Sequence, residues 1–165
     1  MNKKKFIAAS LMWSAAAAVI ILLDRLVKLH ILNNYTPGTV FGGIPGTADF
    51  LYVQNTGAAF SILSSNTPVL SIISILFCIA AVLYWIIKKP SHPMQCLAAV
   101  LLFAGALGNA VDRVVYGFVV DFIAIKWFSF PVFNIADMAI VGGAIAAVIY
   151  VLIFDKDDTQ EKKNG

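Results

Sequence analysis

Val69-Leu70-Ser71-Ile72-Ile73-Ser74-Ile75-Leu76-Phe77-Cys78-Ile79-Ala80-Ala81-Val82-Leu83-Tyr84-Trp85-Ile86-Ile87 is a run of 19 residues without a charge. As a helix it would rise about 28 Å, close to the ~30 Å hydrocarbon core of a bilayer. Lys88-Lys89-Pro90 stops it on one side and Asn66-Thr67-Pro68 precedes it on the other. Working outward, three similar runs appear: Met94–Val111, Phe6–Leu23 and Met138–Phe154, with 18, 18 and 17 residues. The whole chain of 165 residues is 60% hydrophobic and 13% charged. A soluble domain is nearer half apolar and a quarter charged. This excludes an ordinary soluble enzyme. The expectation is an α-helical integral membrane protein with four transmembrane helices, at about 6–32, 68–87, 94–115 and 135–154. They make one domain over 1–165, with a disordered cytoplasmic tail at 156–165.

The first run follows Lys3-Lys4-Lys5 and so also resembles a secretory signal peptide. A cleavable signal has an apolar core of about 7–15 residues with small residues just behind it. Here the core is longer and Ala15 to Ala18 lie inside it, so a retained helix is expected. Lys3, Lys4, Lys5, Lys88, Lys89, Lys156, Lys162 and Lys163 fall in the two terminal segments and the second-to-third turn. With four spans these segments share one side, and the positive-inside rule makes that side cytoplasmic. The net charge of +3 reflects this bias and calls for no nucleic-acid partner. Cys78 and Cys96 fall within spans and read as buried, inert thiols.

Between the first two spans, Thr39-Val40-Phe41 and Phe50-Leu51-Tyr52-Val53 have strand-like content, separated by Gly42, Gly43, Pro45 and Gly46. A loop this long in a compact protein calls for structure of its own, so a small sheet on the outer membrane surface is expected. Gln54-Asn55-Thr56-Gly57-Ala58-Ala59-Phe60 follows, polar and then small. Gly117 should end the third helix, Phe118 to Lys126 reads as extended, and Asn134 to Asp137 fits a helix start with an Asn cap. His92 reads as a solvated turn residue.

The acids carry the chemistry. Between residues 6 and 154 they are Asp24, Asp49, Asp112, Asp121 and Asp137, with no Glu. The expected topology puts all of them at or beyond the outer boundary. Asp121 lies in Phe118-Val119-Val120-Asp121-Phe122 and Asp137, 16 positions later, in Phe133-Asn134-Ile135-Ala136-Asp137. A carboxylate in such apolar surroundings is costly and therefore informative. Asp24 and Lys28 share a helix face, as do Asn109, Asp112 and Arg113. Each set reads either as a helix-end ion pair or as support for a site, and the second set also as a polar shelf for a headgroup or peptide. Zinc chemistry lacks a His-Glu-x-x-His motif, and His30 and His92 lie on opposite sides. A serine nucleophile lacks a Gly-x-Ser-x-Gly elbow, and a cysteine nucleophile lacks a base within reach. Two aspartates sharing a proton can cleave a peptide with water alone, without metal or cofactor. A transporter or proton channel would instead spread its acids through the membrane depth, and a structural scaffold leaves the apolar aspartates unexplained.

At this point the motifs resemble the prolipoprotein signal peptidase (signal peptidase II) family. The resemblance is carried by Asp24-x-x-x-Lys28, the 54–60 segment, Gly105-Ala106-Leu107-Gly108-Asn109-x-x-Asp112-Arg113, Gly117-x-Val119-x-Asp121-Phe122 and Phe133-Asn134-x-Ala136-Asp137. One departure is Ala104-Gly105, where the family often has two glycines. The resemblance implies a catalytic dyad of Asp121 and Asp137. It implies site-shaping or substrate-binding roles for Asn55, Gly57, Gly108, Asn109, Asp112, Arg113 and Asn134, with Asp24 and Lys28 supporting. It further implies four spans with an extracytoplasmic β-sheet cradle and a short helix, in a bacterial cytoplasmic membrane. The substrates would be lipid-modified preproteins, cut just before the lipid-bearing cysteine at the outer leaflet boundary. Membrane lipids are the other expected partners, and a monomer is the expected state.

Overall fold

The computed structural model describes residues 3–57 and 66–154. Four helices long and apolar enough to cross a membrane dominate it: α1 (Lys3–Asn34), α2 (Thr67–Lys88), α3 (Pro93–Tyr116) and the span Ile135–Phe154, which begins with α4 (Ile135–Ile149). A π-helical turn, Tyr150–Phe154, prolongs α4. The chain is a multi-pass membrane protein. The expected tail and residues 58–60 of the Gln54–Phe60 motif lie outside the described residues, and no separate short helix is found among the described ones.

The helix ends follow local chemistry. Both α2 and α3 begin with a proline in the first turn, where a missing N–H costs nothing. Gly117 ends α3 at φ +78°, a left-handed conformation that favours glycine. His92, expected in solvent, is half-buried and caps α3: its Nδ1 accepts from the Met94 N–H, and its ring packs near Tyr150 and Phe154.

α3 is central, packed by α1, α2 and α4. Its closest approach is to α4, because glycines face the neighbouring backbone there. A Cβ on Gly105 would come within 2.3 Å of the Ala136 carbonyl oxygen, and one on Gly143 within 2.8 Å of the Leu102 nitrogen. Many large apolar residues of α1, α2 and α4 are exposed, as suits surfaces that meet lipid.

At one end of the bundle lies an antiparallel sheet in the order β1 (Val40–Ile44), β2 (Ala48–Asn55), β3 (Val119–Ile125). β2 and β3 pair Val53 with Asp121 and Asn55 with Val119, after an irregularity between Phe50 and Val53. Tyr52, Val120 and Phe122 pack with Ile31 of α1 into an apolar cluster that seats the sheet on the helix end. The C-terminus of α1, the start of α2, the end of α3 and the start of α4 all meet at this end of the bundle. The Lys88–Lys89 turn and the N-terminus of α1 lie at the other.

Candidate active site

Asp121 and Asp137 reach the same place by different routes. Gly117 turns the chain out of α3 into β3, where Asp121 sits in a run buried from Val119 to Phe122. The returning segment is fastened to β3 by backbone bonds between Phe133 and Ile123, 3.1 and 2.8 Å, so that Asn134 follows beside the strand. Asn134 then starts α4 with a capping box. Its Oδ1 accepts from the Asp137 N–H at 2.9 Å, and Asp137 Oδ2 accepts from the Asn134 N–H at 3.2 Å. The sequence pattern is the physical cause of this cap, since an Asn at the N-cap and an acid three residues on satisfy two otherwise orphaned donors.

The cap also joins the acids. Asn134 Nδ2 donates to Asp121 Oδ1 at 2.6 Å and to Asn109 Oδ1 at 3.1 Å. Asn109 Nδ2 donates to Asp137 Oδ1 at 2.7 Å, and Asn55 Nδ2 donates to Asp121 Oδ2 at 2.8 Å. Asn134 therefore holds one carboxylate with its side chain and the other with its backbone. Asp121 is 1% exposed, whereas Asp137 is half-buried. Burial, and next the neighbouring Asp137 charge, push the Asp121 pKa up to about 7; the bonds from Asn55 and Asn134 and the Lys28 charge oppose this.

A buried ion network underlies the amides. Lys28 Nζ reaches Asp24 Oδ2 at 2.9 Å, Asp112 Oδ2 at 3.0 Å and Asn109 Oδ1 at 3.0 Å. Three acceptors satisfy the ammonium, which is fully buried. Asp24 Oδ1 accepts from the Ala136 N–H at 3.0 Å, tying α1 to the first turn of α4. Gly108 is where Asp24 and Ala136 come against α3; a Cβ there would lie 2.9 Å from Asp24 Oδ2. The two readings of Asp24 and Lys28 merge. They form an ion pair, and the pair is bonded to Asn109 and to the first turn of α4 beside the two carboxylates.

Asp112 and Arg113 divide their work. Asp112 faces Lys28 and Arg25, while Arg113 Nη2 donates to the Gly57 carbonyl at 3.1 Å. Arg113 Nε is buried without a hydrogen-bond partner among the described residues. Gly57 in turn donates its N–H to Asn55 Oδ1 at 2.9 Å, so the 54–57 segment and α3 lock together beside Asp121. Each residue expected to shape the site thus falls in one connected cluster. Arg25 and Tyr116 belong to its edge and were not expected there. Arg25 adjoins Asp24 in sequence, but its partners lie 87 and 91 positions away, which no local pattern displays. Cys78 and Cys96 are buried free thiols away from the cluster, and Asp49 pairs with Lys126 on the sheet surface.

Known proteins share this architecture. Residues 16–153 match the family model described as Signal peptidase (SPase) II. The lipoprotein signal peptidase of Syntrophomonas wolfei is 39% identical over 148 residues, covering 89% of this chain and 95% of that protein. That of Staphylococcus aureus is 37% identical over 166 residues, covering 99% and 98%. A bacterial membrane enzyme solved in meso at 2.3 Å superposes with a TM-score of 0.81 at 36% identity, covering 89% of this chain and 90% of that one. A match of this extent, in sequence and in fold, places the chain in the signal peptidase II family.

Proposed function

We propose that this protein is a membrane aspartic endopeptidase that removes signal peptides from diacylglyceryl-modified preproteins, cutting just before the lipid-bearing cysteine. The observation that carries the reading is the pair of carboxylates fastened to one residue, Asn134, with Asp121 buried and Asp137 half-open. Two acids in contrasting surroundings separate into one that keeps its proton and one that gives it up. Asp121, its pKa pushed up to about 7, is the proton holder, and Asp137, the more open of the two in the first turn of α4, is the base.

The chemistry then closes without a covalent intermediate. Asp137 takes a proton from water as its oxygen bonds to the scissile carbonyl carbon, and the Asp121 proton passes to the carbonyl oxygen. The C–N bond of the resulting gem-diol breaks as Asp137 delivers its proton to the amine nitrogen. Asp121 recovers a proton from the gem-diol hydroxyl, which leaves a carboxylic product and both aspartates in their starting states. Asn109 and Asn134 hold the carboxylates throughout, which keeps the orientation that makes such transfers efficient.

The site's place at one end of the bundle suits the substrate. A signal peptide is an apolar helix with its basic end inside, so its cleavage site emerges at the outer leaflet. With the lysine-rich end of this chain cytoplasmic, Asp121 and Asp137 stand at that level. The acyl chains of the substrate remain in the bilayer, and the sheet covers the reaction from the aqueous side.

The test uses purified protein in detergent with a lipidated preprotein, followed by gel shift and mass spectrometry of the products. Wild-type protein cleaves before the lipidated cysteine with or without chelator, and Asp121→Asn and Asp137→Asn are each inactive by at least a thousandfold. Cleavage retained in either variant overturns the dyad. Loss of cleavage with EDTA overturns the water-only mechanism.

A further inference from the structure

Arg25 lies outside the two-carboxylate chemistry, yet it grips the turn that delivers Asp121. Its Nη1 donates to Asp112 Oδ1 at 2.7 Å and its Nη2 donates to the Tyr116 hydroxyl. Tyr116 is the last residue of α3, and its ring stacks on Phe118 across Gly117, at 5.9 Å between centroids. Asp112 completes the hold from the other side, because its Oδ2 accepts the Val120 N–H at 3.2 Å. Val120 is the residue before Asp121. One guanidinium from α1 therefore fixes both ends of the left-handed turn between α3 and β3.

The charges close as well. Asp24 and Asp112 are two buried acids, Lys28 is a buried cation, and Arg25, a quarter exposed, is the second. Without Arg25 the network keeps an uncompensated negative charge, and Asp112 Oδ1 loses the hydrogen bond that it accepts from Nη1. A planar fork that reaches a carboxylate and a hydroxyl together is a task for arginine.

We propose that Arg25 is a positioning residue for the peptidase reaction, acting on Asp121 through Asp112 and the Val120 N–H. This inference rests on the aspartic reading above and adds to it a residue bonded to neither of the two carboxylates, Asp121 and Asp137. Its effect has two parts. The turn is held so that Asp121 stays against Asn55 and Asn134, and the negative field on the dyad is kept down. The charged groups that act on Asp121 are Asp137 on α4, Lys28 on α1 and Arg113 on α3, while Asp112 is bonded to the N–H of the neighbouring Val120. Removing the Arg25 charge takes away the guanidinium bonded to Asp112 and leaves Lys28 bonded to it and Arg113 acting through space, so net negative charge is added beside the dyad and its proton is held more tightly.

The experiment compares wild type, Arg25→Met, Arg25→Lys and Asp121→Asn as purified full chains, with kcat, KM and their pH profiles measured on a lipidated preprotein. Wild-type cleavage and an inactive Asp121→Asn establish the aspartic reading; their failure strikes that reading and is seen before any Arg25 variant is considered. Given both, Arg25→Met is expected to lose about tenfold in kcat with KM within about twofold, because a slight misplacement of a reacting group costs that much. Its alkaline limb moves to higher pH. Arg25→Lys restores the limb, because it returns the charge, but recovers only part of kcat, because one ammonium cannot replace the fork that reaches both Asp112 and Tyr116. The proposal falls if Arg25→Met keeps the wild-type kcat and limb. It also falls if both variants lose activity only in step with their folded fraction, measured by thermal unfolding, with the limb unmoved.

Discussion

At the scale of single residues, the proposed reaction depends on a carboxyl group that holds its proton to unusually high pH. Asp121 lies in the buried stretch from Val119 to Phe122, and its pKa of about 7 comes first from burial and then from the Asp137 charge. In the proposed mechanism, the protonated form is the useful one. Activity is therefore expected to hold below pH 7 and to fall as pH rises through about 7, in a limb that belongs to the pair of acids rather than to one of them. Stability runs the same way. The folded pKa lies above the unfolded value of 3.8, so the folded state loses stability as pH climbs from that value through about 7, with the full cost present above it. Asn55 gives a sharper check. Its amide favours the ionised form of Asp121, so Asn55→Ala is expected to shift the alkaline limb of kcat to higher pH while reducing kcat by roughly tenfold. A limb that moved to lower pH would contradict the assignment of Asp121 as the proton holder.

At the scale of elements, the dyad is only as well placed as the contact between α3 and α4. Gly105 sits opposite the first turn of α4, where a Cβ would meet the Ala136 carbonyl at 2.3 Å and the Ile140 nitrogen at 3.0 Å. These are backbone atoms and cannot swing aside. Gly105→Ala is expected to displace α4 at the residue before Asp137, cutting activity by at least a hundredfold and destabilising the fold by about 2 kcal/mol. Gly142→Ala is the matched control. Its Cβ would meet Leu101 Cδ1 at an ordinary 3.6 Å, so activity and melting temperature should stay near wild type. Steady-state cleavage and thermal unfolding in detergent check both. The same contrast explains what was legible beforehand. Apolar runs announce helices, and the Asn134–Asp137 cap is a pattern of spacing three, so both can be read locally. Val40, Phe41 and the Phe50–Val53 run were visible as strands through their side chains. Ala48, Gln54 and Asn55 were not, because pairing with β3 recruits them and their own propensity does not. The bonds from Asn55 to Asp121 and from Lys28 to Asp112 span 66 and 84 positions, and their existence follows only from how the sheet seats on α1 and α3.

At the scale of the whole molecule, the acids are gathered at one end. The carboxylates of the described residues, Asp24, Asp49, Asp112, Asp121 and Asp137, belong to the end that carries the sheet, while Lys3, Lys4, Lys5, Lys88 and Lys89 belong to the opposite end. A lone carboxylate at the bilayer centre would cost several kcal/mol, and the segregation avoids that cost. Translocation responds to lysine and arginine near span ends, so the lysine-rich end is expected to stay in the cytoplasm and the dyad to face outward. Thiol labelling decides this. In a Cys78→Ala/Cys96→Ala background that retains cleavage, Asn33→Cys reports the exposed end of α1 beside the sheet, and Ser91→Cys reports the exposed turn between α2 and α3. A membrane-impermeant maleimide added to intact cells should modify Asn33→Cys at least tenfold faster than Ser91→Cys, and permeabilisation should bring the two rates together. The reverse order would put the dyad at the inner leaflet. No signal peptide inserted with its basic end inside could then present its outer cleavage site to Asp121 and Asp137, so the topology bears directly on the reaction proposed for this chain.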